Sequence, residues 1–252
     1  MNPNLIYDVG MHNGDDTAYY LFRGYSVVAI EANPLLVEAG RQRFAAEIAA
    51  GRLTILPVGI TAEPGTNTFW VNEVHSEWSS FVKGMGCRDG TPCHAIEVSC
   101  VRFEDVLAEH GVPYYLKVDI EGLDALCLKA LDPADLPPYV SAEGNYLGTL
   151  CEMYSAGYRG FKLVNQTECW KCQSTAEWEF PGGSSGAFGE DAPGEWEDLE
   201  TTAYTWLHFR MGHFDRGRLT EGWYDFHGTV HGPRRVGPTA ASFEQRAAQR
   251  QP

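Results

Sequence analysis

The chain has 252 residues, of which 44% are hydrophobic and 12% aromatic. This composition excludes intrinsic disorder, collagen and coiled coil, and the length allows a substantial core in one large domain or two small ones. The formal net charge of −15 excludes nucleic acids and anionic membranes as favoured partners, because so acidic a protein repels phosphate groups.

The sequence contains no run of about 20 apolar residues, so no membrane span is predicted. Its N-terminus runs directly into a strand-like segment without the basic region of a signal peptide. Seven cysteines at irregular spacing favour reduced thiols over a disulfide framework. Together these features predict a cytoplasmic protein.

Apolar strand-like runs alternate with helical patterns over the first 165 residues. The predicted strands are Leu5–Val9, Ser26–Ile30, Leu53–Val58, Tyr114–Val118, Tyr139–Ala142 and Phe161–Asn165. The predicted helices lie near Asp16–Phe22, Leu35–Ala50, Phe103–Glu109, Leu123–Ala130 and Leu147–Ala156. Such alternation is typical of βαβ units, so we expect an α/β fold whose mostly parallel sheet carries helices on both faces.

Two segments depart from this alternation. Thr66–Val71 and Ala95–Val101 resemble a strand pair that frames a loop rich in Gly, Cys and Ser. After Gln166, the aromatic, acidic and Gly-rich segment Trp170–Glu200 is either a lid or a solvated loop that aromatic side chains pin to the core. We therefore expect a single domain over residues 1–232 with a possible lid at 168–202, and a flexible tail at 233–252.

The sharpest local signal is the stretch Tyr7-Asp8-Val9-Gly10-Met11-His12-Asn13-Gly14-Asp15-Asp16-Thr17. A buried strand ends, a Gly-spaced turn follows and a helix begins, with Asp15 or Asp16 predicted to cap that helix. The spacing is G-x-x-x-G and not the G-x-G-x-x-G of dinucleotide-binding folds. Asp8 also disfavours a pyrophosphate ligand, because its charge would repel it.

Glu31 follows the second predicted strand, 17 residues after Gly14. An acid at this place can accept hydrogen bonds from both ribose hydroxyls of an adenosine ligand. A ligand that tolerates these carboxylates and needs no phosphate cradle is S-adenosylmethionine, which carries a sulfonium and an ammonium group. The alternative is a plain strand-to-helix turn with Glu31 as a surface cap.

Acidic residues also follow two later strands, in Leu116-Lys117-Val118-Asp119-Ile120-Glu121-Gly122 and in Ala142-Glu143-Gly144-Asn145. Ligands of open α/β sheets bind beyond the carboxyl ends of the strands, so Asp8, Glu31, Asp119 and Glu143 should converge on one crevice. Alternatively, Asp119 and Glu121 cap the following helix.

Taken together, the Gly-spaced loop, Glu31-Ala32-Asn33-Pro34 and the Lys-x-Asp-x-Glu-Gly stretch resemble the FkbM-type methyltransferases over roughly residues 5 to 165. Ser79-Ser80 resembles a Ser-rich stretch of the same family. The resemblance implies a seven-stranded class I methyltransferase fold, S-adenosylmethionine as methyl donor, and O-methylation of hydroxyls on polyketides and sugars.

Most of the candidate site residues are assigned to the donor. The residues expected to bind S-adenosylmethionine are Asp8, Gly10, His12, Asn13, Gly14, Thr17, Glu31, Ala32, Asn33, Gly59, Ser80 and Asp119. Asp119 is also the first candidate for the base that takes the proton of the acceptor hydroxyl, with Glu121, Glu143 and His227 as further candidates. His227 is included because its late strand or loop could bring a titratable group back to the site.

Metal sites are considered and not favoured. Asp119, Glu143 and Asn145 could hold Mg²⁺ through oxygen atoms. Cys169 and Cys172 could form a zinc site with Cys87 and Cys93, although ordinary thiols are favoured. A redox role for the Cys169–Cys172 pair is weaker still, because no thioredoxin-like unit precedes it.

The most favoured function is therefore O-methylation of a small metabolite, polyketide or sugar by a monomer or homodimer. The same fold could instead methylate nitrogen or a carboxylate, or bind S-adenosylmethionine without catalysis. A nicotinamide oxidoreductase is disfavoured, because the G-x-G-x-x-G motif is missing.

Overall fold

A computed structural model describes residues 1–167, 169, 173–215 and 222–233, with the backbone alone at 210–215. The strands are β1 (Asn2–Val9), β2 (Ser26–Ile30), β3 (Leu53–Leu56), β4 (Gly59–Ile60), β5 (Gly65–Asn72), β6 (Cys93–Val101), β7 (Pro113–Val118), β8 (Tyr139–Glu143), β9 (Gly160–Asn165) and β10 (Tyr224–Thr229). The helices are α1 (Asp15–Phe22), α2 (Pro34–Arg43), α3 (Ala45–Ala49), α4 (Lys83–Gly86), α5 (Phe103–His110), α6 (Asp124–Lys129), α7 (Leu147–Ala156) and α8 (Leu199–Asp215). Among the described residues, none of these helices is long and apolar enough to cross a membrane.

Seven strands form the main sheet in the order β3-β2-β1-β7-β8-β10-β9. All neighbours pair in parallel except β10, which runs antiparallel to both β8 and β9. The predicted seven-stranded, mostly parallel α/β sheet is thus confirmed, and the late strand expected around His227 is β10. Most of the predicted tail, residues 234–252, lies outside the described residues.

The central strand β1 shows why the sequence of this sheet is so apolar. Leu5, Tyr7 and Val9 point into one hydrophobic cluster, while Ile6 points into another on the opposite face. A parallel strand that is covered on both faces reads as a continuous apolar run rather than an alternating one. Burial on both faces favours polar groups at the strand ends, where water or a ligand can reach them.

The smaller sheet has the order β4-β6-β5, in which β5 and β6 are the predicted strand pair and run antiparallel. We call residues 73–92, which connect these two strands, the hairpin insertion. It holds the short helix α4 and two single 3₁₀ turns, Ser76–Trp78 and Arg88–Gly90. The insertion extends over the carboxyl edge of the main sheet and so contributes to the site described below.

Two expectations for helix ends and lengths are wrong. The single helix predicted over Leu35–Ala50 is divided at Phe44, which has non-helical backbone angles and whose buried ring lies against Gly14. Neither Asp15 nor Asp16 caps α1, since the N-cap position is Gly14 in the left-handed conformation and both acids lie in the first turn.

The described part of the aromatic, acidic segment packs onto the sheet. Phe180, Phe188 and Trp196 are buried, and the ring of Phe188 stacks on Tyr115 with 4.4 Å between centroids. The backbone N–H of Ser185 donates to the carboxyl of Asp16. These contacts anchor residues 173–198 to the core, as the pinned-loop interpretation expects, whereas closure as a lid stays a prediction.

The prediction of reduced thiols is wrong for two of the cysteines. Cys87 and Cys93 form a disulfide, because the hairpin insertion turns back on itself and brings their Cα atoms to 5.4 Å. Among the described residues, Cys100, Cys127 and Cys151 are free thiols. The four-thiolate zinc site is also contradicted, since Cys87 and Cys93 bind each other and the Cys169 thiol donates to the Ser184 carbonyl. Cys172 lies outside the described residues.

Candidate active site

A cavity of about 600 Å³ opens at the carboxyl edge of the main sheet. Glu31 follows β2, Asp119 follows β7 and Glu143 ends β8, so three of the four predicted acids do converge there. The predicted residues that line it are Gly10, His12, Asn13, Glu31, Ala32, Gly59, Asp119, Glu121 and Glu143. The topological position is the one at which open α/β sheets bind ligands.

The turn after β1 requires glycine at its first position. Gly10 has a φ of +88°, and a Cβ atom there would overlap the carbonyl oxygen of Asp119. The backbone N–H groups of Gly10 and Met11 both donate to the Ile30 carbonyl at 3.0 Å. The turn is therefore fixed between the ends of two strands, with its backbone exposed to the cavity.

Glu31 is held by two backbone donors. The N–H of His12 donates to its Oε2 at 2.8 Å, and the N–H of Asn33 donates to its Oε1 at 2.7 Å. Burial raises the pKa of Glu31 to about 7 despite these hydrogen bonds. A carboxylate can accept about four hydrogen bonds, so both oxygens keep capacity to accept from vicinal hydroxyls.

The wall beside Glu31 is apolar. Ala32, Leu36, Phe69 and Phe81 line the cavity there. The ring of Phe81 packs so closely on Gly59 that no side chain fits at that position. This part of the cavity suits a flat, apolar ring next to the hydroxyls that Glu31 can bind.

The ammonium group of Lys117 lies at the floor of the cavity. Its Nζ atom is 3.2 Å from Asp8 Oδ1, 3.4 Å from Asp16 Oδ2 and 3.7 Å from Asp119 Oδ2. Burial alone would lower the pKa of Lys117, but the charges of these three carboxylates outweigh it and hold the pKa well above its ordinary value. Lys117 is therefore charged, and it connects the first strand to Asp119.

Asp119, Glu121 and Glu143 form an acidic cluster whose oxygens lie within 4.8 Å of one another. Burial and the neighbouring carboxylates raise the pKa of Glu143 to about 10, so it is protonated at neutral pH. Burial and the charge of Asp119 raise the pKa of Glu121 to about 7, although the Arg88 guanidinium opposes this shift. Lys117 and Arg88 compensate the charges of Asp119 and Glu121, and the expectation that no metal binds here stays a prediction.

Five residues predicted to bind the donor lie behind the cavity wall instead. Asp8 is fully buried and accepts from the Thr17 hydroxyl at 2.6 Å. Asn33 caps α2 through the N–H of Leu35, and Gly14 packs on the Phe44 ring. The Ser80 hydroxyl donates to the carbonyl of Glu121 at 2.7 Å. These residues support the wall through its backbone and do not line it.

The prediction of His227 as a base is not supported by its position. His227 lies in the middle of β10, is 1% exposed and does not line the cavity. Burial, with a smaller contribution from Lys162, lowers its pKa to about 3, so the imidazole is neutral. The predicted late strand exists, but its register directs this side chain into the interior.

Polar and aromatic residues outside the predicted set also line the cavity, among them Lys117, Ser76, Trp78 and Arg88. Lys117 could have been found from the sequence, since it lies near the end of β7, two residues before Asp119, and extended chain places alternate side chains on the same face. The other three come from the hairpin insertion, whose irregular path gives no periodic signal.

The comparisons with known families give one clear match. The model of the methyltransferase FkbM domain matches residues 8–147, which include Glu31, Asp119 and Glu143. No curated protein sequence matches the chain.

The similar solved structures are distant. A methyltransferase FkbM from Methylobacillus flagellatus KT has 16% identity and a TM-score of 0.38, and the alignment covers 56% of this chain and 32% of that one. A precorrin-6y C5,15-methyltransferase from Geobacter metallireducens GS-15 has 11% identity and a TM-score of 0.39, with 90% of this chain and 80% of that one covered. The StiE O-MT has 9% identity and a TM-score of 0.41, with 98% and 73% covered. This chain thus spans about a third of the length of the first of these proteins.

Proposed function

The chain belongs to the methyltransferase FkbM family, and from this premise we propose that it transfers the methyl group of S-adenosylmethionine to a hydroxyl of a small metabolite, polyketide or sugar. The family match covers more than half of the chain and supports methylation that depends on S-adenosylmethionine. The observation that carries the choice of a hydroxyl acceptor is an accessible carboxylate, Asp119, in the same cavity as Glu31.

The chemistry of the cavity fits the donor. Seven acidic residues and two basic residues line it, which suits a ligand that carries a sulfonium and an ammonium group. Glu31 can accept from the two ribose hydroxyls, and the apolar wall formed by Ala32, Leu36, Phe69 and Phe81 can cover an adenine ring. The Gly10 turn lets the backbone approach the ligand closely.

Bound S-adenosylmethionine supplies an electrophilic methyl group, which the protein has to align with the attacking oxygen. A neutral hydroxyl is a weak nucleophile, so a base must accept its proton as the new bond forms. Asp119 is best suited, because its side chain is 27% exposed and Lys117 stabilises its negative charge from 3.7 Å. Glu121 is less available, since Arg88 occupies both of its oxygens.

Glu143 has a different role in this proposal. A carboxyl with a pKa of about 10 carries its proton at neutral pH, so Glu143 can donate a hydrogen bond but cannot act as a base. Asn145 donates to Glu143 Oε2 at 2.9 Å. We assign to Glu143 the orientation of the acceptor, with proton removal left to Asp119.

An amine acceptor is the second candidate, because the acidic walls also favour a cationic substrate. A carboxylate acceptor is disfavoured by the same charges, which would repel it. A non-catalytic protein would bind the donor but form no methylated product, with or without the carboxylate of Asp119.

The test is transfer from S-adenosylmethionine with a tritiated methyl group to a panel of methyl glycosides, phenols and matched amines. We expect label in hydroxylated acceptors, with equal formation of S-adenosylhomocysteine. Asp119→Asn should lower the transfer rate by about 10²- to 10⁴-fold, the contribution typical of a general base, while donor affinity changes much less. The matched control is Asp135→Asn, which removes a half-exposed carboxylate paired with the N-terminus.

Label confined to the amines would favour the second candidate. Transfer at the wild-type rate by Asp119→Asn would exclude Asp119 as the base. Absence of transfer to every acceptor, with donor binding intact, would favour the non-catalytic alternative.

A further inference from the structure

The hairpin insertion, residues 73–92, forms one wall of the cavity and is attached to both sides of it. The imidazole Nε2 of His12 and the hydroxyl of Ser76 share a hydrogen bond of 2.7 Å, which joins the insertion to the Gly-spaced turn. The hydroxyl of Ser80 donates to the backbone carbonyl of Glu121, which joins it to the end of β7. The insertion is therefore connected both to the Gly-spaced turn after β1 and to the acidic cluster.

Arg88 is the charged contact between the insertion and the acidic cluster. Its two terminal nitrogens donate to Glu121 Oε2 and Oε1, each at 3.0 Å, in the parallel arrangement that fixes a carboxylate most firmly. Its guanidinium lies 4.3 Å from the centre of the Trp78 ring. Glu121 is 6% exposed, so its carboxyl has little freedom to find another partner.

The path of the chain at Arg88 is held by the Cys87–Cys93 disulfide. The disulfide begins one residue before Arg88 and closes the turn Arg88–Gly90 against the start of β6. Asp89 has a φ of +58°, a left-handed conformation that residues other than glycine rarely adopt. The hydroxyl of Thr91 donates to the Arg88 carbonyl at 2.8 Å and so supports the same turn from within the disulfide loop.

We propose that Arg88 is a positioning residue for methyl transfer, which orients Glu121 in the cavity, and that the Cys87–Cys93 disulfide makes this orientation sensitive to dithiol reductants. The inference rests on the proposed function. In the oxidised form the closed turn keeps the guanidinium between Trp78 and Glu121. In the reduced form the turn gains conformational freedom, and Arg88 leaves Glu121 for part of the time.

The redox step balances with a dithiol as the reductant. One thiolate of the dithiol attacks one sulfur of the disulfide and forms a mixed disulfide, and the second thiolate then closes the dithiol into its own cyclic disulfide. Two electrons and two protons pass to Cys87 and Cys93, which become thiols. Both cysteines are partly exposed, so a small dithiol can reach them.

The first test separates positioning by Arg88 from a general effect of charge. Arg88→Gln should lower kcat by about 10- to 100-fold for the acceptor that the wild type methylates, while the Kd for S-adenosylmethionine changes less than about threefold. Arg88→Lys should recover only part of kcat, because lysine keeps the charge but not the two-pronged geometry. Arg102→Gln is the matched control, since it removes an exposed arginine–carboxylate pair with Asp105.

The second test addresses the disulfide directly. The wild type is assayed before and after treatment with dithiothreitol, and alkylation followed by mass measurement counts the free thiols. We expect reduction to lower kcat, as Arg88→Gln does. The double variant Cys87→Ser with Cys93→Ser should have the kcat of the reduced wild type and should not respond to dithiothreitol.

The mass measurement has to show two additional thiols after reduction. If kcat is then unchanged, the redox part of the proposal is overturned. Wild-type kcat in Arg88→Gln would overturn the positioning role. If the oxidised wild type transfers methyl to none of the acceptors, the proposed function has failed and this inference falls with it, which distinguishes the two failures.

Discussion

The charge at the floor of the cavity depends on one side chain. Lys117 faces Asp8, Asp16 and Asp119 at 3.2 to 3.7 Å and also donates to the Gly10 carbonyl at 3.2 Å. Without this ammonium group, three carboxylates would share a poorly solvated site. Lys117 thus places a positive charge beside Asp119, the carboxylate that takes the proton in the proposed transfer.

Glu143 makes the stability of the protein depend on pH. Its pKa is about 10 in the folded protein and near 4.5 in the unfolded chain, so unfolding releases its proton at neutral and alkaline pH. The folded protein therefore loses stability as the pH rises from the pKa of Glu143 in the unfolded chain towards its pKa in the folded protein. From Glu143 alone, at about 1.4 kcal/mol per pH unit, we expect the free energy of unfolding to fall by about 4 kcal/mol between pH 6 and pH 9 in urea titrations.

Glu143→Gln should flatten this dependence, because the amide does not titrate. Glu109→Gln is the matched control, since Glu109 is a strongly exposed acid and its removal should leave the slope unchanged. An equal slope in the wild type and in Glu143→Gln would mean that Glu143 ionises normally, and its assignment as a hydrogen-bond donor would be wrong.

His227 changes the stability of the protein at lower pH, and in the opposite direction. Its pKa is lowered to about 3, so its contribution to stability is present above about pH 6.5 and is lost as pH falls.

At the scale of an element, the turn between β1 and α1 determines the shape of the cavity beside Glu31. Gly10→Ala should destabilise the protein strongly, because its φ of +88° disfavours any side chain and the new Cβ atom would overlap the Asp119 carbonyl. We expect a loss of at least about 3 kcal/mol in the free energy of unfolding, measured by urea titration.

Gly24→Ala is a close control for this prediction. Gly24 has nearly the same φ, +89°, but a Cβ atom there meets no other atom within 4 Å. Its substitution should therefore report only the backbone cost, about 1–2 kcal/mol. Equal losses in the two variants would show that the Asp119 backbone moves freely away from the turn and does not constrain it.

Much of the main sheet could be predicted from the sequence, because its strands are buried on both faces and form short continuous apolar runs. The predicted bounds of β2, Ser26–Ile30, are the observed ones, and the acids Glu31 and Asp119 lie at the ends of their strands as expected. Polar residues at the end of such a run have few positions available other than the carboxyl edge of the sheet.

The remaining features depend on contacts between distant segments, which periodicity does not reveal. The ring of Phe44, at the break between two helices, lies against Gly14, and Arg88 reaches Glu121 from a loop 33 residues away. The Cys87–Cys93 disulfide depends on how the hairpin insertion folds back. The position of His227 could not be predicted, because the stretch Tyr224-Asp225-Phe226-His227-Gly228 mixes aromatic and polar residues and does not indicate which face the imidazole occupies.

At the scale of the whole molecule, the net charge of −15 and the acidic cavity point in the same direction. Under the proposed function, the negative charge of the protein attracts the cationic donor over long range, and the acids of the cavity balance the charge of that donor at close range. Association with the donor should therefore weaken as salt is added, because 0.1 M salt screens the interaction of exposed charges that lie more than about 10 Å apart.

The central claim is that the cavity beside Glu31 binds S-adenosylmethionine, and calorimetric titration tests it most directly. We expect binding to the wild type, and a Kd about 10- to 100-fold higher in Glu31→Gln, because hydrogen bonds to a charged acceptor contribute about 1.5–3 kcal/mol. Glu38→Gln, an exposed acid on α2, should bind like the wild type. Binding of equal strength to the wild type and to a folded Glu31→Gln would contradict the assignment of this cavity to the donor.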